Sequence, residues 1–287
     1  MRAEQEIKDT IIQFAERDER VRAVLLNGSR ADPNSRPDKF SDFDVVFVVN
    51  KLKSFTSNHV WISFLGDTII SQRPDEMSIG KDKDDKSLKK FSYLLLLHDR
   101  NRVDLTLLPR IKISYMPNQD SLSVVWLDKD GLFKNLPSPA NKDYYIKRPR
   151  RKEFLDVCNE FWWVSTYVAK GLARDEITYA KEMLEKVVRP MLMKMIEWKI
   201  GSENKFSVQF GTAGKYMKRY LPKKLYKKIL RTYSGADIKE NWKALMLMTK
   251  IFSKLSNEVA ANLQFLINDA ERKNVTAYLK KVRHEYK

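Results

Sequence analysis

With one cysteine, Cys158, in 287 residues, the chain has no internal disulfide to form. That excludes the disulfide-stapled secreted class and suits a reducing, cytoplasmic setting. Histidine is almost as scarce. His59, His98 and His284 lie far apart, with none of the spacing of a zinc site. No apolar run approaches the roughly 18 residues that a membrane helix needs. The opening MRAEQEIKDT lacks the apolar heart of a signal peptide, so no membrane partner is expected. Acidic residues are outnumbered, 37 against 54 Lys and Arg, leaving a net charge of +17. Such a charge suggests a polyanion, either nucleic acid or a nucleotide, although a lysine-rich solvated surface accounts for most of it equally well. The positives are spread in short runs, at 81–90, 147–152, 215–219, 223–228 and 280–283.

Apolar residues make up 43% of the chain, enough for packed cores in two ordinary domains. The first half alternates. The spacing predicts a helix over 4–17, a strand over 21–26 and a proline-containing loop over 31–41. A nearly continuous apolar strand follows over 42–49, as expected of a central position. A helix over 55–65, a strand over 67–72 and a polar loop over 80–90 come next. Residues 91–98 and 102–108 form a hairpin about a turn at 99–101, and 121–127 form one more strand. Residues 137–152 contain three prolines and a basic run, and they are assigned to a linker. Beyond it the pattern is helical, over 153–173, 175–200, 212–221, 223–232 and 237–267. Asp175 is an expected N-cap, and Gly171 and Gly201 are expected stops. The expected fold class is α+β, with a mixed sheet flanked by helices over 1–136 and an all-helical domain over 153–287.

Three carboxylates carry the chemistry. Asn27-Gly28-Ser29-Arg30 ends the first strand, and Asp42-Phe43-Asp44 opens the next. In a strand, residues i and i+2 share a face, so Asp42 and Asp44 project together while Phe43 points away. Two such carboxylates repel unless a cation lies between them, and Mg²⁺ favours one or two carboxylates completed by substrate phosphates. Asp104 interrupts an otherwise apolar strand and shares a face with Thr106, a costly placement unless the carboxylate is paired, metal-bound or solvated. If its strand lies beside the Asp44 strand, all three carboxylates converge to hold Mg²⁺ and support phosphoryl transfer. Gly28 lets backbone approach a phosphate, Ser29 offers a hydroxyl, and Arg30 is a bidentate donor. A Gly-Ser turn alone is common, and an Asp-X-Asp alone is ordinarily a solvated strand end. In this order on successive sheet elements they are far more specific.

Gly28-Ser29, Asp42-Phe43-Asp44 and a strand-borne Asp104 together resemble the DNA polymerase beta-like nucleotidyltransferase superfamily. Within it, LNGSR at 26–30, SDFD at 41–44, NRVDLTL at 101–107 and WLDKDG at 126–131 resemble the aminoglycoside 6-adenylyltransferases, or streptomycin adenylyltransferases. So do NEFWW at 159–163, YVAKGL at 167–172, RDE at 174–176, GKY at 214–216 and YLP at 220–222. The resemblance implies transfer of AMP from ATP to the 6-hydroxyl of streptomycin, release of pyrophosphate, and a role in antibiotic resistance. It implies Mg²⁺ on Asp42 and Asp44, with Asp104 as a further metal ligand or as general base, and the triphosphate on Gly28, Ser29 and Arg30.

Streptomycin is a polycation, so its site needs acidic and aromatic groups. Glu160 and Trp163, i and i+3 on one helix, are the candidates, with Asp175 further on. Phe161, Trp162 and Trp163 read more readily as core. Two other readings exist: an RNA nucleotidyltransferase of the same superfamily, or a nucleic-acid-binding protein without catalysis. The absence of a recognisable RNA-binding module counts against the first, and the intact carboxylates count against the second. The expectation is an enzyme with no nucleic-acid partner. Nothing in the sequence demands an oligomer, and a monomer is compatible with it.

Overall fold

The computed structural model describes residues 1–79, 90–115 and 120–285. The chain divides into two compact units, residues 1–143 and 144–287.

The first unit is a six-stranded mixed sheet with flanking helices. Its strands are β1 (Val21–Asn27), β2 (Phe43–Val49), β3 (Thr68–Gln72), β4 (Phe91–Leu97), β5 (Arg102–Pro109) and β6 (Ser123–Asp128). Their order is β3-β4-β5-β2-β1-β6. β2 and β5 run parallel, and the other neighbours are antiparallel. Side-chain alternation sorts the sheet into two faces. Val45, Phe47, Val103, Leu105 and Leu107 join Ile7, Ile11 and Ala15 of helix α1 (Glu4–Arg17) in one core. On the opposite face, Ala23, Leu25 and Val48 pack against Phe133. Asp44 and Asp104 alternate onto that second face.

The helix expected over 55–65 is broken. Helix α2 spans only Lys53–Thr56, and a 3₁₀ turn follows over Val60–Leu65. Asn58 Oδ1 accepts the Val60 N–H at 2.9 Å, a local side-chain bond that competes with helical pairing. The loop expected over 80–90 lies, apart from Lys90, outside the described residues.

The second unit is helical: α3 (Arg151–Ala173), α4 (Ile177–Met183), α5 (Arg189–Glu203), α6 (Met217–Tyr220), α7 (Lys223–Leu230), α8 (Ile238–Leu263) and α9 (Ala270–Glu285). α3, α5 and α8 supply its core, in which the rings of Phe161 and Phe252 stack at 3.7 Å. The single helix expected over 175–200 is interrupted by a π turn at Leu184–Val188. Pro190 explains the interruption: it lacks an N–H, its ring crowds the carbonyl four residues earlier, and a wider turn relieves both. The expected helix stops also move. Gly171 and Gly201 lie inside α3 and α5, where a Cβ would press on Ala180 and Phe206 respectively. The helix expected over 237–267 ends at Leu263, with Gln264 left-handed, and α9 begins a new element. Among the described residues, no helix is long and apolar enough to cross a membrane.

Candidate active site

The parallel pairing of β2 with β5 places Asp44 directly opposite Asp104, strand beside strand, about 4.8 Å apart. Asp42 precedes Asp44 by two residues in extended chain and reaches the same cluster, where Arg102 Nη1 lies 3.6 Å from its Oδ2. The three carboxylates expected to converge do so on the sheet face opposite α1. Asp44 is the most perturbed. Burial, then the charges of Asp104 and Asp42, push its carboxyl up to about 6, against the opposing pull of Arg102. Asp120 adds to the same upward push.

Arg102 is the residue that motif reasoning passed over. It donates to both oxygens of Asp104, Nε to Oδ1 at 2.9 Å and Nη2 to Oδ2 at 2.7 Å. The signal was present in the sequence, because Arg102 stands two residues before Asp104 on one strand and therefore shares its face. The pairing raises the Arg102 pKa further, chiefly through the Asp104 hydrogen bond.

The Gly-Ser turn lies against these carboxylates. Asn27 pairs with Asp44 across the β1–β2 ladder, and Ser123 Oγ donates to Asn27 Oδ1 at 2.8 Å. Gly28 has φ +71°, and its N–H donates to Leu122 O at 3.1 Å, tying the turn to the start of β6. A Cβ on Gly28 would overlap Asp44 Oδ2. Glycine is required here twice, by the positive φ and by the close approach. Ser29 follows in the 3₁₀ turn Gly28–Arg30, half-buried beside the carboxylates.

Arg30, expected as a phosphate donor, is turned to other partners in this structure. Its side chain is only 7% exposed and its guanidinium is already engaged. It donates to Ser41 O at 2.9 Å, Asp42 O at 3.2 Å and Glu4 Oε2 at 2.5 Å, and it lies over the Phe43 ring at 3.9 Å. Arg30 therefore fixes the backbone that presents Asp42, and Arg102 is the guanidinium beside the carboxylates.

An all-oxygen donor set suits a hard divalent cation, and the crowded charge at Asp44 is what a cation would relieve. Among the described residues, however, no three acidic, histidine or cysteine side chains stand ready as a metal cluster. The expected three-carboxylate metal set is incomplete here because both oxygens of Asp104 are turned onto Arg102.

In the second unit, Glu160 is exposed on α3 and borders an open hollow of mixed charge with Glu153, Asp156, Arg150, Lys152 and Met191, in which Lys152 pairs with Asp156 at 2.7 Å. Trp163 is 58% exposed, whereas Phe161 and Trp162 are core. The Trp163 indole donates to Tyr167 Oη at 2.8 Å, and Lys170 lies over the Tyr167 ring. Asp175 is not brought to this pair. It follows the end of α3, about 20 Å along the helix axis from Glu160. Nor is it an N-cap: its φ is +61°, it forms the left-handed link between α3 and α4, and the N-cap position of α4 falls to Glu176, which makes no side-chain cap bond.

A family model described as streptomycin adenylyltransferase matches residues 1–282. An aminoglycoside 6-adenylyltransferase of Bacillus subtilis (strain 168) is 41% identical, with 97% of each chain covered. Proteins of that name from Campylobacter jejuni and Staphylococcus aureus are 38% and 33% identical, covering 92% and 91% of this chain and 91% and 92% of their own. A solved aminoglycoside 6-adenyltransferase from Bacillus subtilis aligns over 99% of each chain with 36% identity and a TM-score of 0.49.

Proposed function

Because the chain belongs to the streptomycin adenylyltransferase family, we propose that it transfers AMP from ATP to the 6-hydroxyl of streptomycin, releasing pyrophosphate, and that it does so in the cytoplasm as a resistance enzyme. One observation carries this reading: Asp44 and Asp104 are register partners on adjacent strands, beside Asp42 and under a Gly28–Ser29 turn that leaves no room for a Cβ. Its relatives' names supply the acceptor class.

The reaction is an in-line displacement. The antibiotic hydroxyl attacks the α-phosphorus of ATP, the new P–O ester forms, and the α–β bridging P–O bond breaks with its electrons leaving on pyrophosphate. Asp42 and Asp44 would hold Mg²⁺ together with phosphate oxygens, and the ion, when bound, would neutralise the triphosphate and polarise the α-phosphoryl group. The Ser29 hydroxyl and the backbone of its turn meet the phosphates. With Arg102 paired to phosphate instead, Asp104 would be free either to accept the hydroxyl proton or to serve as a ligand of a second metal, in which case the proton would pass to solvent. Glu160, with Glu153 beside its hollow, receives the cationic groups of the aminoglycoside, and exposed Trp163 offers a ring for a sugar face.

The test is label transfer from α-labelled ATP with Mg²⁺ and streptomycin, other aminoglycosides or tRNA as acceptor. Labelled streptomycin with stoichiometric pyrophosphate is the expected result, and label entering RNA alone would overturn the reading. Asp42→Asn and Asp44→Asn should each lower kcat at least about 10³-fold while circular dichroism stays unchanged. Near-wild-type turnover in both would remove the metal assignment. Asp104→Asn should also impair turnover. A raised Mg²⁺ requirement in that variant marks a ligand, and an unchanged one marks a base.

A further inference from the structure

Between positions 215 and 231 the chain has eight Lys or Arg and no Asp or Glu, which concentrates nearly half of the net +17 in one short stretch. Elsewhere in this unit, helical lysines face acids three or four residues away: Lys152 meets Asp156, Lys181 meets Glu185, Lys199 meets Glu203 and Lys243 meets Glu240. Among the described residues, no ion pair involves any residue of 215–231. On α7 the lysines instead repeat against one another, Lys223 with Lys227 and Lys224 with Lys228, and all four are exposed. Like charges at i, i+4 destabilise a helix unless an anion lies across them.

The apolar side of α7 is already used. Ile229 is fully buried, and Leu225 and Tyr226 pack on the core of this unit. Leu230, 45% exposed at the end of the helix, is the one large apolar side chain of α7 left outward, too little to sink into a lipid surface beside four exposed lysines. Just past its end stands Tyr233, 53% exposed, with the Arg189 guanidinium over its ring at 3.8 Å. That guanidinium is held in place by Glu185 and by Thr232 O at 2.9 Å. A row of unpaired cations ending in a braced, exposed aromatic ring is the combination that follows a phosphodiester backbone and stacks a base.

We propose that α7 and Tyr233 form a binding surface for single-stranded nucleic acid, with Lys223, Lys224, Lys227 and Lys228 on the phosphates and Tyr233 under a base. This reverses the expectation of no nucleic-acid partner, and it stands independently of the adenylyl-transfer reading. The total charge alone did not separate a binding surface from a solvated one. The unbroken sign of this stretch, its missing pairs and its buried apolar side do.

The test is fluorescence anisotropy of labelled single-stranded RNA and DNA oligonucleotides with the full chain from 50 to 300 mM salt. Micromolar binding at 150 mM salt is expected. In the variant with all four lysines changed to Gln, affinity should fall at least about tenfold and the log–log salt slope should drop by roughly 3. Tyr233→Ala should weaken binding about tenfold and leave the slope unchanged. Circular dichroism and thermal unfolding confirm that each variant is folded. Four results would each overturn the proposal: no binding at 150 mM salt; unaltered binding by the Gln variant; binding confined to phosphatidylserine vesicles; or a raised KM for ATP in the Gln variant, which would assign these lysines to the nucleotide.

Discussion

Asp44 is held where its charge is unwelcome. Burial and two neighbouring carboxylates lift its pKa to about 6, from an unfolded value near 3.9. The folded chain therefore binds more protons than the unfolded chain between about pH 4 and pH 6. Stability falls as pH rises through that window and is then level. Discounted for partial solvation, the penalty at neutral pH is about 1–2 kcal/mol. Asp44→Asn should raise the stability of the divalent-free protein by that amount at pH 7 and by almost nothing at pH 4, as read by urea unfolding at both values. The same substitution should remove activity under the proposed function, a trade of stability for function. The acidic members of the site were legible because strand alternation depends only on counting. The arginines were legible only in part. Arg30 was the one cation placed near the phosphates, and Arg102 was passed over although it shares a strand face with Asp104. The choice depended on how the segment from Asp38 to Asp42 folds under Arg30, which its composition does not reveal.

Strands were easier to read than helices. Each expected strand was found within about two residues of its place, since β2 and β5 are buried runs bounded by turns. Helix limits went wrong at Asn58, where a local bond competes, at Pro190, where a ring does, and at Gln264, which is left-handed. The helix expected over 212–221 is reduced to a 3₁₀ turn at Thr212–Gly214 and α6, with Ala213 left-handed between Thr212 and Gly214. α9 was missed because only Leu279 and Val282 are buried along its sixteen residues, too few to mark a stripe. It nevertheless matters to α3. Asn159 donates to Glu271 of α9 at 3.3 Å, and burial beside that carboxylate lifts the Cys158 thiol up to about 12. The folded protein should thus react with iodoacetamide at pH 8 at least about 10²-fold more slowly than the urea-unfolded chain, measured by mass shift against time.

At the scale of the molecule, the proposed function asks a +17 chain to bind a polycation. Under that proposal distant charges repel the substrate, and only local acids such as Glu160 attract it. Salt screens the distant charges first, since the Debye length shortens to about 8 Å at 150 mM. Raising salt from 20 to 150 mM should therefore increase kcat/KM for streptomycin while raising KM for ATP, an opposite response of the two substrates in one assay. The total charge was plain from composition. Its placement was not, because pairing at i, i+4 and the direction of α7 become visible only once the helices are built.

The in-register parallel pairing of β2 with β5 has a consequence for how this gene tolerates insertions and deletions. Between the end of β2 and the start of β5 only the connecting loops are free to drift in length without disturbing Asp44 opposite Asp104, because β3 and β4 within that stretch pair in register with the same sheet. A single codon gained or lost inside β2 or β5 is different. It turns one carboxylate through the sheet into the apolar layer beneath α1, and the carboxylate pair is lost at one stroke.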